Sequence, residues 1–210
     1  MIALLRMPKA KLTFNYLKHT STNPVRKWTI NSLYKSIFEM LKNISISSVL
    51  DAGGGEGFTL DRFKKANIGE KLVCIDNSQE AISLGKEIFS NLDLRIGDIY
   101  KLSFRDKTFD LVICTEVLEH LTTPRKALKE MIRVSKKYLI LSVPNEPIFS
   151  LKNLVIGRHI TRFGSSKGHI NWWTARAFEK FVKKENVKIL KSKHPFPFTV
   201  VLLKKLNFKS

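Results

Sequence analysis

Two groups of residues in this chain of 210 could do chemistry. The first is the stretch Asp51-Ala52-Gly53-Gly54-Gly55-Glu56-Gly57, followed by acids at Asp76 and Asp98. Consecutive glycines let a ligand lie against bare backbone, since a Cβ would block both the turn and the approach. Asp76 can accept from two neighbouring ligand hydroxyls, and Asp98, beside the backbone donor of Ile99, can accept from an exocyclic amine. The second group is Glu116, Glu119 and His120, with the distant His169. Glu119 lies three residues and His120 four residues after Glu116, so one helical turn would aim all three side chains at one point. A divalent ion held there would bind vicinal hydroxyls and lower the pKa of one. The plainer expectation is that Glu116 serves the ligand pocket, Glu119 is solvated and His120 packs beneath a sheet.

An α/β chain has to position these residues. Ile44, Ile46, Val49 and Leu50 read as a buried parallel strand entering the glycine turn, and Phe58-Thr59-Leu60-Asp61-Arg62-Phe63 opens a helix behind it. Further strands are expected at Lys71–Asp76, Leu92–Ile96, Phe109–Thr115 and Tyr138–Val143. Ser78 can cap the helix after the second strand, and Thr123-Pro124 supplies a cap and first-turn proline for a helix to about Ser135. Upstream, Asn23-Pro24 starts a helix to about Lys42, with Trp28, Ile30, Leu33, Ile37, Met40 and Leu41 on one face. Residues 1–18 are apolar and basic with no clear period, and read as a docking helix, a lid or a loose terminus. A basic insertion runs from Ser150 to Lys167 and ends at Gly168-His169. Thr174 then caps an amphipathic helix, and Val187–Leu190 and Phe198–Leu203 read as two closing strands. Trp173 is expected in the core, Trp172 partly exposed and His19 solvated.

Hydrophobic content of 43% and charged content of 26% suit one soluble domain with a full-sized core. Cys74 and Cys114 both fall late in expected strands, so a disulfide framework is not expected and a reducing cytoplasm fits. Met1-Ile2-Ala3-Leu4-Leu5 is too short for a signal-peptide core, and no apolar run approaches a membrane span. The unusual quantity is a net charge of +19, and its distribution matters more than its size. Residues 48–150 carry 15 basic and 15 acidic side chains, whereas residues 1–47 carry 8 and 1, and residues 151–210 carry 14 and 2. A surplus confined to the flanks favours an anionic partner: RNA, an acidic membrane surface or an anionic metabolite.

Phe58 stands where the dinucleotide fingerprint would need its third glycine, which disfavours a nicotinamide enzyme. With Asp51 two residues before the first glycine, the pattern resembles motif I of class I S-adenosylmethionine (SAM) dependent methyltransferases. Asp76, Asp98 and Thr115-Glu116 follow in the same register, and the resemblance covers about residues 45–205. It implies a Rossmann-like seven-stranded sheet with helices on both faces, whose last two strands form an antiparallel hairpin. It implies SAM held by Arg26, Asp51, Ala52, Gly53, Gly54, Gly55, Gly57, Asp76, Asn77, Asp98, Ile99, Thr115 and Glu116.

Three stretches look like O-methyltransferases of ubiquinone biosynthesis: Asn23-Pro24-Val25-Arg26, Thr115-Glu116-Val117-Leu118-Glu119-His120 and the insertion ending in Gly168-His169. In that family the arginine matching Arg26 holds the SAM carboxylate and the insertion approaches lipid. Glu116, Glu119, His120 and His169 also resemble the metal-binding set of small-RNA 3′-terminal 2′-O-methyltransferases, so Mg²⁺ or Zn²⁺ is an expectation at those four residues. The expected organisation is a basic helical cap over residues 1–44 and a methyltransferase domain over 45–210, with a basic substrate-side insertion at about 146–172. The expected reaction is methyl transfer to oxygen, or to nitrogen, of a small-molecule or lipid-like acceptor in the cytoplasm or at a membrane periphery, with His120 or His169 as base. Alternatives are a metal-assisted RNA ribose 2′-O-methyltransferase and a SAM-binding protein without catalysis.

Overall fold

One seven-stranded sheet, in the order β3-β2-β1-β4-β5-β7-β6, organises the molecule. The computed structural model describes residues 12–146, 148 and 168–206. In chain order the elements are α1 (Phe14–His19), α2 (Pro24–Leu41), β1 (Ser48–Ala52), α3 (Phe58–Lys65), β2 (Lys71–Asp76), α4 (Gln79–Ile88), β3 (Asp93–Ile96), β4 (Phe109–Thr115), α5 (Pro124–Val134), β5 (Ser135–Pro144), α6 (Ala175–Lys183), β6 (Val187–Lys193) and β7 (Phe198–Lys205). A single 3₁₀ turn, Leu118–His120, follows β4. Strands β1 to β5 pair in parallel, and β7 runs antiparallel to both β5 and β6. The expected Rossmann-like architecture with its closing hairpin is therefore present, and no described helix is long and apolar enough to cross a membrane.

Alternation along β1 builds two cores at once. Leu50 and Ala52 join the layer with Leu128, Met131 and Phe178 of α5 and α6. Val49 joins the layer with Leu33, Ile37, Leu60 and Phe63 of α2 and α3. The N-terminal helix α2 thus belongs to the packing of the sheet. Its start is set by the Asn23 side chain, which accepts from the Arg26 N–H at 3.0 Å, with Pro24 in the first turn. Ser78 and Thr174 cap α4 and α6 as expected, accepting from Ala81 and Ala177. Thr123 does not: it makes no side-chain cap bond, and Pro124 alone starts α5.

The closing strands run further than expected because their ends are tied to α5 and α2. The Lys205 ammonium donates to the carbonyls of Ile132, in the last turn of α5, and Ser135, just past it, at 2.7 and 3.0 Å. Lys191 donates to the Met40 carbonyl at 2.9 Å, and Lys193 pairs with Glu39. Trp173 packs on Phe178 and Phe181, while Trp172 is exposed. The expectations for residues 1–11, 147 and 149–167 lie outside the described residues.

At the far end from the strand tips, Phe109 is fully buried, with its ring edge-on to Phe104 at 4.9 Å. Truncating it leaves a void that the sheet cannot close. Phe109→Ala should lower unfolding stability by about 3–5 kcal/mol, read by urea denaturation.

Candidate active site

Strands β1 to β5 are parallel, so Ala52, Asp76, Ile96, Thr115 and Pro144 end on one rim of the sheet. At the first of these ends, the N–H groups of Gly53 and Gly54 both donate to the Ile75 carbonyl, at 2.8 and 3.2 Å. This folds the loop flat against β2. A Cβ on Gly54 would collide with the Asp51 carboxyl group and lie 2.8 Å from Cys74 Sγ, so only glycine fits. Ala52 is buried beneath the turn. Asp51 is fully buried too, and neither carboxyl oxygen has a hydrogen-bond partner among the described residues. Burial pushes its pKa up to about 7; the Thr59 hydroxyl opposes the rise and the Asp76 carboxylate adds to it.

Asp76 is half-buried and accepts from the N–H of Gly55 and of Ser78, both at 2.9 Å, which fixes its carboxylate against the glycine loop. Asn77 beside it is exposed. Asp98 is exposed and accepts from the Tyr100 N–H at 2.8 Å, and Ile99 is buried. Arg26 is half-buried in the first turn of α2, with Nη1 donating to the Leu17 carbonyl at 3.5 Å.

The fourth strand end carries the second group. Thr115 is half-buried, and Glu116 turns the chain with φ of 58°, an unusual conformation for a residue with a Cβ. Its N–H donates to the Ser142 carbonyl at 3.1 Å, and its carboxylate accepts from the Ser142 hydroxyl at 3.2 Å. Glu116 therefore stands before the 3₁₀ turn and not on it. Glu119 is buried rather than solvated, and His120 is exposed rather than packed beneath the sheet. Both Glu119 carboxyl oxygens lack a partner among the described residues. Burial, reinforced by Glu116, holds its pKa well above the carboxylate range.

The segment Gly168–Asn171 clamps this turn. The N–H groups of Ile170 and Asn171 donate to the Glu119 carbonyl at 2.9 and 3.1 Å. The Asn171 amide donates to the carbonyls of Leu118 and Leu121 at 3.2 and 2.7 Å. His120 Nδ1 lies 2.9 Å from the Gly168 carbonyl. A carbonyl only accepts, so Nδ1 carries a proton and donates this bond. The rings of His120 and His169 meet edge to face at 4.9 Å, and potential ligand atoms of Glu119, His120 and His169 lie within 4.8 Å of one another. Glu116 is not among these three.

Some neighbours carry no expectation from the sequence. The Tyr34 hydroxyl meets the Thr59 hydroxyl at 2.9 Å behind Asp51, and Thr13 and Asn15 donate to the buried Glu56 carboxylate. A charged residue inside a glycine loop was the available signal for Glu56. Asn171 had none. His19, expected in solvent, stacks on Phe58 at 4.7 Å, and burial lowers its pKa to about 3.

A family model described as a methyltransferase domain matches residues 50–141. That span holds the glycine cradle, Asp76, Asp98 and the Glu116–His120 turn. Residues 50–141 are thus similar to this methyltransferase-domain family. An uncharacterized methyltransferase of Schizosaccharomyces pombe is 37% identical over 109 residues, 46% of this chain and 39% of that protein. The ubiquinone/menaquinone biosynthesis C-methyltransferase UbiE of Hydrogenovibrio crunogenus is 32% identical over 123 residues, 54% of this chain and 48% of that protein. The chain thus spans about half or less of these relatives' lengths. A solved SAM dependent methyltransferase from Aquifex aeolicus shares the fold, with a TM-score of 0.70 at 18% identity over 93% of this chain and 100% of that one.

The buried acid of the glycine turn gives a stability test. Between pH about 4 and 7 the folded state keeps a proton on Asp51 that the unfolded chain releases, so this residue weakens folding as pH rises and its effect levels off above pH 7. Asp51→Asn should therefore be more stable than wild type near pH 8, by roughly 4 kcal/mol at most. The gap should shrink toward pH 4, as read from denaturant melts of both proteins across that range.

Proposed function

We propose that this chain binds SAM along the ends of β1, β2 and β3 and transfers its methyl group to a small-molecule or lipid-like acceptor. The observation that carries the reading is the cradle at Gly54, where bare backbone borders a buried, unpartnered Asp51 and carboxylates follow at Asp76 and Asp98. SAM supplies a methyl group on a positively charged sulfur that leaves as a thioether, so the protein has mainly to bind, orient and desolvate. In this reading Gly53, Gly54, Gly55 and Gly57 border the methionine part, and Arg26 takes its carboxylate. Asp76 with Asn77 takes the ribose hydroxyls, Asp98 with Ile99 takes the adenine, and Thr115 with Glu116 lines the pocket beside them.

The acceptor then lies on the side of the Gly168–Asn171 clamp. His120 is placed to act as its base, because Nε2 can take a proton while Nδ1–H stays on the Gly168 carbonyl. Removing the proton from a phenol-like hydroxyl activates both that oxygen and the adjacent ring carbon. One base therefore serves either acceptor atom.

A lipid-like acceptor is supported by the rim itself. Phe14, Leu17, Val25, Trp28, Trp172 and Phe196 are among the exposed large apolar side chains, and Trp28 and Phe196 meet at 6.1 Å. Lys18, Arg26 and Lys27 stand in the same segments, and apolar plus basic is the composition of an interfacial surface. A second reading, metal-assisted activation of a diol, is favoured by the grouping of Glu119, His120 and His169 with both Glu119 oxygens unpartnered.

Isothermal titration should show SAM binding to the wild type, weakened by Asp76→Ala by about 10–100-fold; no binding by the wild type overturns the reading. On a panel of quinol, catechol and lipid-phenol acceptors, His120→Ala should lower kcat by about 100-fold or more with SAM affinity unchanged. Binding without turnover on any acceptor would leave a SAM-binding protein. Stimulation by Mg²⁺ or Zn²⁺ that His169→Ala removes would select the metal reading. Separately, flotation with anionic vesicles should recover the wild type, and Trp28→Ser with Phe196→Ser should release it. Salt-sensitive capture by RNA with no vesicle binding would move the assignment to a nucleic-acid acceptor.

A further inference from the structure

Residues 12–19 lie across the glycine turn as a strap. Its helix α1 contributes no buried residue, and six residues are too few to hold a helix in water unaided. It is held by what it touches. The Thr13 hydroxyl and the Asn15 amide donate to the two carboxylate oxygens of Glu56. His19 stacks on Phe58 with 5° between the ring planes, and Tyr16 tilts against the same ring at 6.1 Å. Asn15 also covers the loop directly: a Cβ on Gly55, which has φ of +58°, would fall 2.8 Å from Asn15 Nδ2.

Glu56 is fully buried, and a buried carboxylate is unfavourable unless its lone pairs are engaged. Among the described residues both of its side-chain hydrogen bonds come from the strap. Closure thus satisfies a group that opening would strand. The strap's apolar hold on the body is slight, so opening remains accessible at far less than the cost of unfolding the sheet. A polar latch on a lightly packed segment over a ligand loop is a two-state element. At its other end, the Leu17 carbonyl sits on Arg26, so strap and cofactor carboxylate would converge on one guanidinium.

We propose that Thr13, Asn15 and Glu56 form a latch that closes residues 12–19 over bound SAM, and that cofactor exchange requires it to break. This rests on the SAM reading of the site. Glu56 is then a positioning residue, acting through the strap and not on the methyl group.

The test uses the full chain and S-adenosylhomocysteine, the product thioether, in stopped-flow displacement. Thr13→Ala with Asn15→Ala removes both donors to Glu56 and the α1 cap, and should lower the thermal midpoint of the ligand-free protein by several degrees while leaving the sheet folded. It should speed product dissociation by about tenfold and raise KM for SAM by a similar factor, with kcat unchanged or higher. Glu56→Gln, which keeps the shape and one acceptor, should fall between. Trypsin should cut after Lys18 faster in the double variant, and the ligand should protect the wild type. Unchanged dissociation and cleavage rates in a wild type that binds SAM would overturn the latch alone. A wild type that binds neither SAM nor its product would overturn the site reading, and the latch with it.

Discussion

The rim depends on one close approach, the backbone of Gly54 against the buried carboxyl group of Asp51. Two N–H groups on the Ile75 carbonyl hold the turn flat, and that carbonyl belongs to the neighbouring strand. The position of the loop is thereby tied to β2, and the Gly55 N–H can reach Asp76 at 2.9 Å. The glycine cradle and the second acid are one rigid unit, not two features near each other. The arrangement opposes stability at neutral pH, because a carboxyl group kept from water resists ionisation. Fold stability alone does not favour a buried carboxyl group at this turn, which is the kind of local conflict expected at a functional position.

The other half of the rim is fixed by different means. The turn after β4 is held through main-chain carbonyls, with Asn171 bridging Leu118 and Leu121 and the following N–H groups closing on Glu119. Carbonyls cannot donate, so the Gly168 contact requires a proton on Nδ1 of His120. A histidine oriented by a carbonyl at Nδ1 has its ring position fixed through that nitrogen. Glu119 lies beside it, and burial with the Glu116 charge raises its pKa against a smaller opposing effect of Lys18.

The sheet was legible because it uses short-range rules: apolar runs for parallel strands, alternation across β1, and side-chain caps at Asn23, Ser78 and Thr174. The positions of Asp51, Asp76, Asp98 and Thr115 in the fold were legible for the same reason, since each sits at or just past a strand end that pattern alone locates. The failures have particular causes. Glu116 departs from helical geometry at φ of 58°, so a spacing argument built on one α-helical turn misplaces it and leaves Glu119 to be buried by tertiary packing. Thr123 has the right residue type for a cap but lacks the side-chain bond. The strap has no apolar periodicity to read, because a six-residue helix held by a polar latch and one stacked ring needs none. His19 looked like a surface residue only because its partner, Phe58, is 39 positions away.

The distribution of charge can now be divided by location. Residues 48–150 are neutral overall, and some of their ions are used within the fold: Arg133 pairs with Glu130 and Asp106, and Arg95 with Asp93. Part of the basic C-terminal surplus is also structural. Lys191 and Lys193 fasten the edge strand β6 to the end of α2, and Lys205 satisfies carbonyls in the last turn of α5 and just past it. These lysines are poor candidates for a partner's phosphate, since recruiting them would strand the groups they now serve. The basic residues of the rim differ, because Lys18, Arg26 and Lys27 lie among exposed apolar side chains at the mouth of the site. A nucleic-acid groove would pair its cations with stacking faces along a track, whereas an interfacial surface needs scattered apolar groups with cations between them. The rim has the second composition.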